Sequence, residues 1–564
     1  MRNFLLSAVC ILIIQTTNAQ SPSFEWAKGF YSSWFDEGRC IDIDGSGNVY
    51  VSGNLYGTTD FDPGVGVYNL TSAGGNDVFV AKYNALGNLI WAKQMSSPGG
   101  QDLSYSMNVD SIGNVYTTGV FCGIMDFDPG ASSYLLTPNS FRSLFVSKLD
   151  YNGNFVWAKQ ICKTFLPSLT IDGKGNILIT GNCNDTTDLD PGLGVFQFGT
   201  SSAVSSLFIL KLDHNGNFVW AKRSLTTSAS FQYCIKTDIY DNVYTTGYFN
   251  ATTDFDPSAS IYNLTPIGNN DIFISKLDSL GNFIWAKQFG GTNNDAGTAI
   301  SIDHIGNIYA TGYFSSIVDF DPGPAIFNLT PYGLNDIFMV KLNASGNFIC
   351  AKQIGGTNIE FAQSLTLDAS SNIYSTGYFK GTSDFDPSSS AFNLTSSGGQ
   401  DVFVSKLDSS GNFLWAKKMG GIYNDWGSSI SLDASSNIYT AGNFYDNVDF
   451  DPNAGVFNLN TDTIIGSFFI QKMSQATVGL KENEMFNNIS IYPNPTSQFL
   501  NIVSNSSIIN KMQLQILNSL GQIVFNDEIC TTNSKINIEN YPSGMYFIKL
   551  IQKDKQQTFK IIKS

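Results

Sequence analysis

A chain of 564 residues exceeds what one hydrophobic core usually organises, so two or more domains are expected. Only 14% of the residues are charged, while Gly, Asn, Ser, Thr and aromatics are abundant; this composition excludes long helices in favour of short strands joined by tight turns. The formal net charge of −16 argues against nucleic acid and anionic membrane surfaces as partners.

The chain opens with MRNFLLSAVCILIIQTTNAQ. One Arg, an apolar run from Phe4 to Ile14 and small polar residues ending at Ala19 predict a secretory signal over residues 1–19, cut after Ala19. The run is too short to span a bilayer and no later one is long enough, so no transmembrane segment is expected. Val9 stands before Cys10, where a lipoprotein signal wants a small residue. Seven cysteines remain after the signal: Cys40, Cys122, Cys162, Cys183, Cys234, Cys350 and Cys530. They have no spacing typical of a disulfide framework or a zinc site. Cys350 stands where sister units have Trp and reads as a buried apolar filler; a Cys122–Cys183 bridge stays open.

From residue 24 to 473 the chain repeats itself. The motif DFDP or DLDP begins at Asp60, Asp126, Asp188, Asp254, Asp319, Asp384 and Asp449, in steps of 62 to 66 residues. Within residues 297–353, GTAISID and GNIYATGYF flank an Asp-x-x-Gly-Asn turn, a loop carries DFDPGPAIFNLT, and DIFMVKLN and GNFICAKQ flank a second turn. These four segments, A to D, alternate or run continuously apolar, as strands covered on both faces do. Four antiparallel strands repeated seven times predict a seven-bladed β-propeller over residues 20–473. FEWAKGF, residues 24–30, matches strand D, and SFFIQKM, residues 467–473, matches strand C. The first strand is therefore expected to complete the last blade and close the ring, hiding edges that would otherwise pair with other chains. The GN(V/I/F)Y-x-TG-x-F and WAK segments resemble the bacterial seven-bladed propeller repeat, a resemblance that implies fold and carries no catalytic residue.

The chemistry-bearing residues of this region are mostly acids. Only His214 and His304 could serve as histidine ligands or bases, and both fall in hairpin turns at non-equivalent places, which leaves no histidine metal site and no Ser-His-Asp triad. In DxDP the two carboxylates lie at i and i+2, on one side of a strand. The plain reading is an Asx turn with Pro fixing the next bend. The sharper one is calcium, held by Asp60 and Asp62, Asp126 and Asp128, Asp319 and Asp321, Asp384 and Asp386, Asp449 and Asp451, each pair joined by an acid at the start of strand A. Those acids are Asp36, Asp102, Asp295, Glu360 and Asp425, with Thr164 and Ser230 in the third and fourth units. Since strands A and B are antiparallel, five units are expected to gather three carboxylates at one rim.

Loops from D to A carry aromatics unevenly. Trp34 and Phe35 lead into the first unit, Tyr423 and Trp426 into the seventh; anchoring of the rim or a shared platform for a sugar or peptide are both open. The six WAK tryptophans are read as packing between blades. NLT at Asn69, Asn263, Asn328 and Asn393 recurs as part of the repeat rather than as a glycosylation signal.

After Met473 comes a linker, 474–487, and then alternating apolar segments over 488–564 that predict a small β-sandwich. Tyr492, Pro493, Asn494 and Pro495, then Gly521, then the run Ser543, Gly544, Met545 and Tyr546, and the basic end from Lys560 to Lys563, together resemble the type A C-terminal sorting domain of the type IX secretion system of certain Gram-negative bacteria. The resemblance implies that secretion machinery as a partner and a secreted or outer-surface destination. From Met485 the chain carries a net +3, which leaves −19 for the rest. The expected function is a binding or adhesion module for an extracellular glycan or protein. An extracellular polysaccharide hydrolase or lyase and a calcium-stabilised surface component are the alternatives, and near-identical units argue against an active site, which needs unlike residues in one place.

Overall fold

The computed structural model describes residues 21–475 and 489–564, apart from positions 33, 165, 185, 200–204, 227, 229, 462–465, 493–494, 505–511, 519–521, 530–532 and 553–554. The expected signal lies outside the described residues, as do most of the linker and the motif residues Pro493, Asn494 and Gly521. All regular elements are strands, with no helix among the described residues. The chain divides into two compact units, Met1–Gln475 and Ala476–Ser564.

Among the described residues of the first unit, seven antiparallel groups of four strands follow one another in the order A-B-C-D. Their A strands are Glu37–Ile43, Leu103–Val109, Ser168–Ile171, Phe231–Thr237, Ala296–Ile302, Glu360–Leu367 and Trp426–Leu432. In the seventh group strand D is Ser23–Phe30, which pairs antiparallel with Ser467–Ser474. Each A–B hairpin is fastened by its own sequence. Asp44 Oδ1 accepts the N–H groups of Ser46 and Asn48, Oδ2 accepts Asn48 Nδ2 at 2.8 Å, and Gly47 takes the left-handed conformation (φ 79°) that glycine adopts without a Cβ clash.

The sheets hold one another through a unit that recurs along the chain. A strand-C lysine lies over a strand-B tyrosine, as Lys276 does over Tyr244 at 4.9 Å. That lysine then donates to a turn carbonyl of the next sheet: Lys82 to Tyr151, Lys276 to Ala344, Lys341 to Ser409, and in the seventh sheet Lys472 to Ala85 of the first. Tryptophans of WAK do likewise, Trp91 Nε1 donating to Tyr151 O and Trp26 Nε1 to Ala85 O. Cys350, in the Trp position, directs Sγ to Ser410 O, and neither it nor Cys122 or Cys183 forms a disulfide.

Apolar cores lie between neighbouring sheets, and one joins Phe468 and Tyr439 of the seventh to Val51 and Phe79 of the first. The A strands touch from each sheet to the next, and those of the first and last sheets touch as well. Hydrogen bonds follow the same circuit, from Cys40 Sγ to Tyr105 O, from Thr298 Oγ1 to Ala362 O, and from Ile41 N to Ser429 Oγ.

The second unit has a three-stranded sheet (Ile489–Tyr492, Phe499–Ser504, Asn533–Asn537) and a four-stranded one (Met512–Leu517, Ile523–Ile529, Gly544–Gln552, Lys555–Lys563). Leu500, Ile502 and Ile536 from the first share a core with Leu514, Ile516, Ile548 and Ile561 from the second. Tyr492 and Pro495 are exposed, whereas Tyr546 is buried and donates its hydroxyl to Pro542 O at 2.9 Å.

Candidate functional site

Each DxDP motif closes its own loop. Asp60 Oδ1 accepts the N–H groups of Asp62 (3.0 Å) and Tyr68 (2.7 Å), and Asp62 Oδ1 accepts Gly64 N at 2.8 Å. Asp126 and Asp128, Asp319 and Asp321, Asp384 and Asp386, and Asp449 and Asp451 repeat this arrangement. The residue between the acids is a buried plug: Phe61, Phe127, Phe320, Phe385 and Phe450 are all fully buried.

The strand-A acids are buried rather than rim-exposed. Asp36, Asp102, Asp295, Glu360 and Asp425 have no solvent exposure. Asp36 accepts Tyr56 N and the Thr59 hydroxyl, Asp295 accepts Gly291 N and Ser315 N, and Asp425 accepts Gly421 N and Tyr445 N. Asp102 and Glu360 each combine a backbone N–H with a serine hydroxyl. Burial pushes their pKa up, to about 7 for Asp36, about 6 for Asp102, about 6 for Asp295, about 7 for Glu360 and about 7 for Asp425.

The expected gathering of three carboxylates is therefore corrected. The partner of Asp36 is Thr59, one residue before Asp60, and adjacent residues of a strand face opposite sides. The DxDP carboxylates turn into their own loop instead. Among the described residues no group of three or more His, Cys, Asp or Glu is arranged to hold a metal ion.

The four loop aromatics separate as well. Phe35 stacks on Tyr445 at 5.7 Å, and Trp426 meets the same ring edge-on at 5.8 Å, so these two belong to one cluster bridging the first and seventh sheets. Trp34 packs on Tyr56 instead. Tyr423 is exposed, its carbonyl lying close to Gly399.

A feature absent from the sequence pattern brings other residues together. In six sheets the A–B pairing slips at one place, between Gly38 and Cys40, Ser104 and Ser106, Gln232 and Cys234, Gly297 and Ala299, Ala362 and Ser364, and Gly427 and Ser429. A bulge leaves one residue without a cross-strand partner and re-aims its side chain. The six bulged residues, Arg39, Tyr105, Tyr233, Thr298, Gln363 and Ser428, all line one cavity of about 790 Å³ between the A strands. That volume lies in the range of about 300–1,000 Å³ typical of small-ligand sites.

These positions differ from sheet to sheet where the framework does not. The strand-B residue that packs under the lysine is Tyr50, Tyr116, Tyr244, Tyr309, Tyr374 and Tyr439 in the same six sheets. A second cavity-facing position of strand A reads Asp42, Asn108, Lys236, Ser301, Thr366 and Ser431.

The lining is also lopsided. On the side of the fourth to seventh sheets it carries Tyr233, Tyr313, Phe361, Tyr378 and Trp426. Phe361 stacks on Tyr378 (5.2 Å, 12°) and lies 4.2 Å from Tyr313, and Tyr233 lies 5.8 Å from Tyr248. Burial raises the pKa of the Tyr378 hydroxyl to about 12 and shifts Tyr313 the same way, so both stay protonated donors.

Three of the charges in the lining, Glu37, Arg39 and Asp42, are already engaged. Glu37 holds Arg39 through Nε (3.0 Å) and Nη2 (2.8 Å), and the guanidinium lies over Tyr105. Asp42 accepts Ile43 N at 2.9 Å and Val109 N at 2.8 Å; burial raises its pKa, partly offset by those bonds and by attraction to Lys236.

Comparison with known proteins adds family and fold context. Residues 490–564 match the family described as the secretion system C-terminal sorting domain. The match supports export by the type IX machinery that reads such a domain, and with it a place on the cell surface or outside the cell. Over 437 residues the chain is 24% identical to the WD repeat-containing protein L264 of Acanthamoeba polyphaga mimivirus, covering 63% of this chain and 31% of that protein. Over 179 residues it is 25% identical to the regulatory protein FlaEY of Caulobacter vibrioides, covering 30% of this chain and 18% of that one. The matched stretches thus span less than a third of either relative. Among solved structures, the extracellular domain of BT4673 from B. thetaiotaomicron aligns over 93% of this chain and 79% of its own at 11% identity and a TM-score of 0.17. PorZ of Porphyromonas gingivalis, a bacterial surface component of the type IX secretion system, aligns over 95% and 100% at 10% identity and a TM-score of 0.17.

Proposed function

We propose that this chain is an exported binding protein: a seven-bladed β-propeller that takes an extracellular ligand in the cavity between its A strands and is delivered by its C-terminal β-sandwich. The carrying observation is the contrast between positions. Units nearly identical in their turns, lysines and plugs differ at the bulged residues that line the cavity. A binding site needs unlike groups converging on one place, and these are the unlike groups of the repeat.

The repeated circuit of inter-sheet bonds supports the propeller reading, as does the similarity to a WD repeat-containing protein. Binding is favoured over hydrolysis because the lining offers Glu37 and Asp42 as its acids, and both already hold partners within the fold. Neither forms the facing pair of carboxyl groups that glycoside hydrolysis uses.

The test is equilibrium binding of the full-length chain to cell envelopes and surface polymers of the producing bacterium, followed by chemical assay of the polymer. Retention with no new reducing ends and no unsaturated sugar is expected. Progressive cleavage would replace this reading with the hydrolase or lyase one. In the same host, removal of residues 490–564 is expected to abolish appearance of the protein outside the cell.

A further inference from the structure

Resting on that reading of the cavity, we infer that its ligand is a neutral pyranose, a terminal or short segment of an uncharged glycan, seated against the ring faces of Tyr313, Phe361, Tyr378 and Trp426. Three observations combine in this inference, and each bears on a different property of the ligand.

The first is the lopsided lining. At the position that follows the strand-B glycine, the fourth, fifth and sixth sheets carry Tyr248, Tyr313 and Tyr378, whereas the first, third and seventh carry Asn54, Asn182 and Asn443. Phe361 joins Tyr313 to Tyr378 through ring contacts, so the fifth and sixth sheets present a continuous aromatic wall. All four rings named above line the cavity and are only partly buried. They are large apolar surfaces left in contact with water, while the strand-B tyrosines of the framework, from Tyr50 to Tyr439, are buried. A flat aromatic wall complements the flat C–H face of a pyranose, and a tyrosine adds a hydroxyl at its rim.

The second is the kind of polar group that faces the wall. Gln363 and Ser428 are bulged residues on the sheets that bear Phe361 and Trp426, and Gln400 lines the same region. Amides and hydroxyls both donate and accept, which suits a ligand made of hydroxyl groups. Gln400 already orients Trp426 by accepting its indole N–H, so that ring is held in place before a ligand arrives, which lowers the ordering cost of binding.

The third is charge. Arg39 is engaged by Glu37, and Asp42 by two backbone N–H groups with Lys236 in electrostatic reach. Beside Arg39 the lining carries Lys236, which Asp42 attracts, and the body of the protein is strongly acidic. An anionic sugar would be repelled at long range by that acidic body and would have to draw Lys236 away from Asp42. A cationic peptide would be attracted at long range, yet Glu37 already pairs with Arg39 and Asp42 accepts two backbone N–H groups, which leaves each a weaker partner for a new cation.

Saturation-transfer NMR and calorimetry on the full chain, with methyl hexopyranosides and neutral oligosaccharides as probes beside uronic acids, sulfated sugars and lysine-rich peptides, test the inference. Neutral pyranosides should receive saturation on the protons of one ring face, and their affinity should change less than about twofold between 50 and 500 mM salt, since no ion pair is formed. Phe361→Leu should weaken binding about tenfold or more while Phe361→Tyr keeps it, a difference of about 1.4 kcal/mol or more. Gln363→Trp fills the cavity from an exposed position and should abolish binding in a protein that melts normally. Binding of charged sugars or peptides in place of neutral pyranosides, still blocked by Gln363→Trp, would overturn the ligand class and keep the cavity as the site. Binding of any probe that survives Gln363→Trp would overturn the cavity itself.

Discussion

Two sets of side chains in the same sheets behave in opposite ways. Those that face a neighbouring sheet are repeated almost unchanged, as with the tyrosines beneath the strand-C lysines, which are buried from Tyr50 to Tyr439. Those displaced by the A–B bulge are Arg39, Tyr105, Tyr233, Thr298, Gln363 and Ser428, one cation, two phenols, two hydroxyls and an amide. Packing between sheets admits one shape, since a buried methylene gained or lost is felt at once. A residue aimed into a cavity is less confined by packing. Repetition in this chain therefore marks the scaffold, and the breaks in repetition mark the place where chemistry differs from sheet to sheet.

The largest effect that would break this contrast concerns the plugs. Phe320 is fully buried against Phe289, Phe314 and Phe338, so Phe320→Ala should cost about 3–5 kcal/mol in urea unfolding. A loss near zero would remove the DxDP loop from the framework.

A second test is the pH dependence of melting. The strand-A acids have folded pKa values of about 7, 6, 6, 7 and 7 (Asp36, Asp102, Asp295, Glu360, Asp425). Unfolded carboxyls sit near about 4. Between those values the folded state holds more protons, so stability falls as pH rises from about 4 to about 7. Turn aspartates act the other way. At Asp44 burial is outweighed by hydrogen bonds from Asn48 and Ser46, and at Asp172 by those from Lys211 and Asn176, so both are lowered. Their contribution is lost as pH falls below about 4. The melting temperature should rise on going from pH 8 to pH 5 and fall again in stronger acid. Asp36→Asn with Glu360→Gln and Asp425→Asn should flatten the upper slope; an unchanged slope would show that these acids are not the source.

Smaller effects sharpen the contrast from the other side. Gln363→Ala, at an exposed cavity position, should move stability by no more than about 0.5 kcal/mol. Chelation with EDTA should leave the melting temperature where it was, because the DxDP oxygens already hold the N–H groups of their own loops. A drop of several degrees would restore calcium as a structural ligand.

Much of the framework was legible in the sequence. The spacing of DxDP marked out the units, the Asp-x-x-Gly-Asn turns marked the hairpins, and Phe24 to Phe30 read as a D strand without its own A, B and C. The placement of the acids was not legible. Whether Asp36 meets Asp60 or Thr59 depends on a register offset of one residue, and a one-residue offset reverses which side chains share a face. The bulge was hidden because it spaces the buried positions three apart, as from Gly38 to Ile41, Ser104 to Met107 and Gly427 to Ile430, and the first of each pair is a glycine or serine that carries no apolar signal. Trp426 and Phe35 were singled out as aromatic outliers and do share a cluster through Tyr445. Tyr313, Phe361 and Tyr378 were missed because a tyrosine or phenylalanine in a strand is ordinary until the fold shows that it lines a cavity.

The most direct measurement is a matched pair of insertions compared for binding to the same surface polymer and neutral pyranosides: Gln363→Trp, at the cavity, and Val65→Trp, on an exposed DxDP loop. Both should melt within a degree or two of the parent. Loss of binding in the first and full binding in the second is the predicted result; equal binding by both variants would contradict the cavity as the functional site.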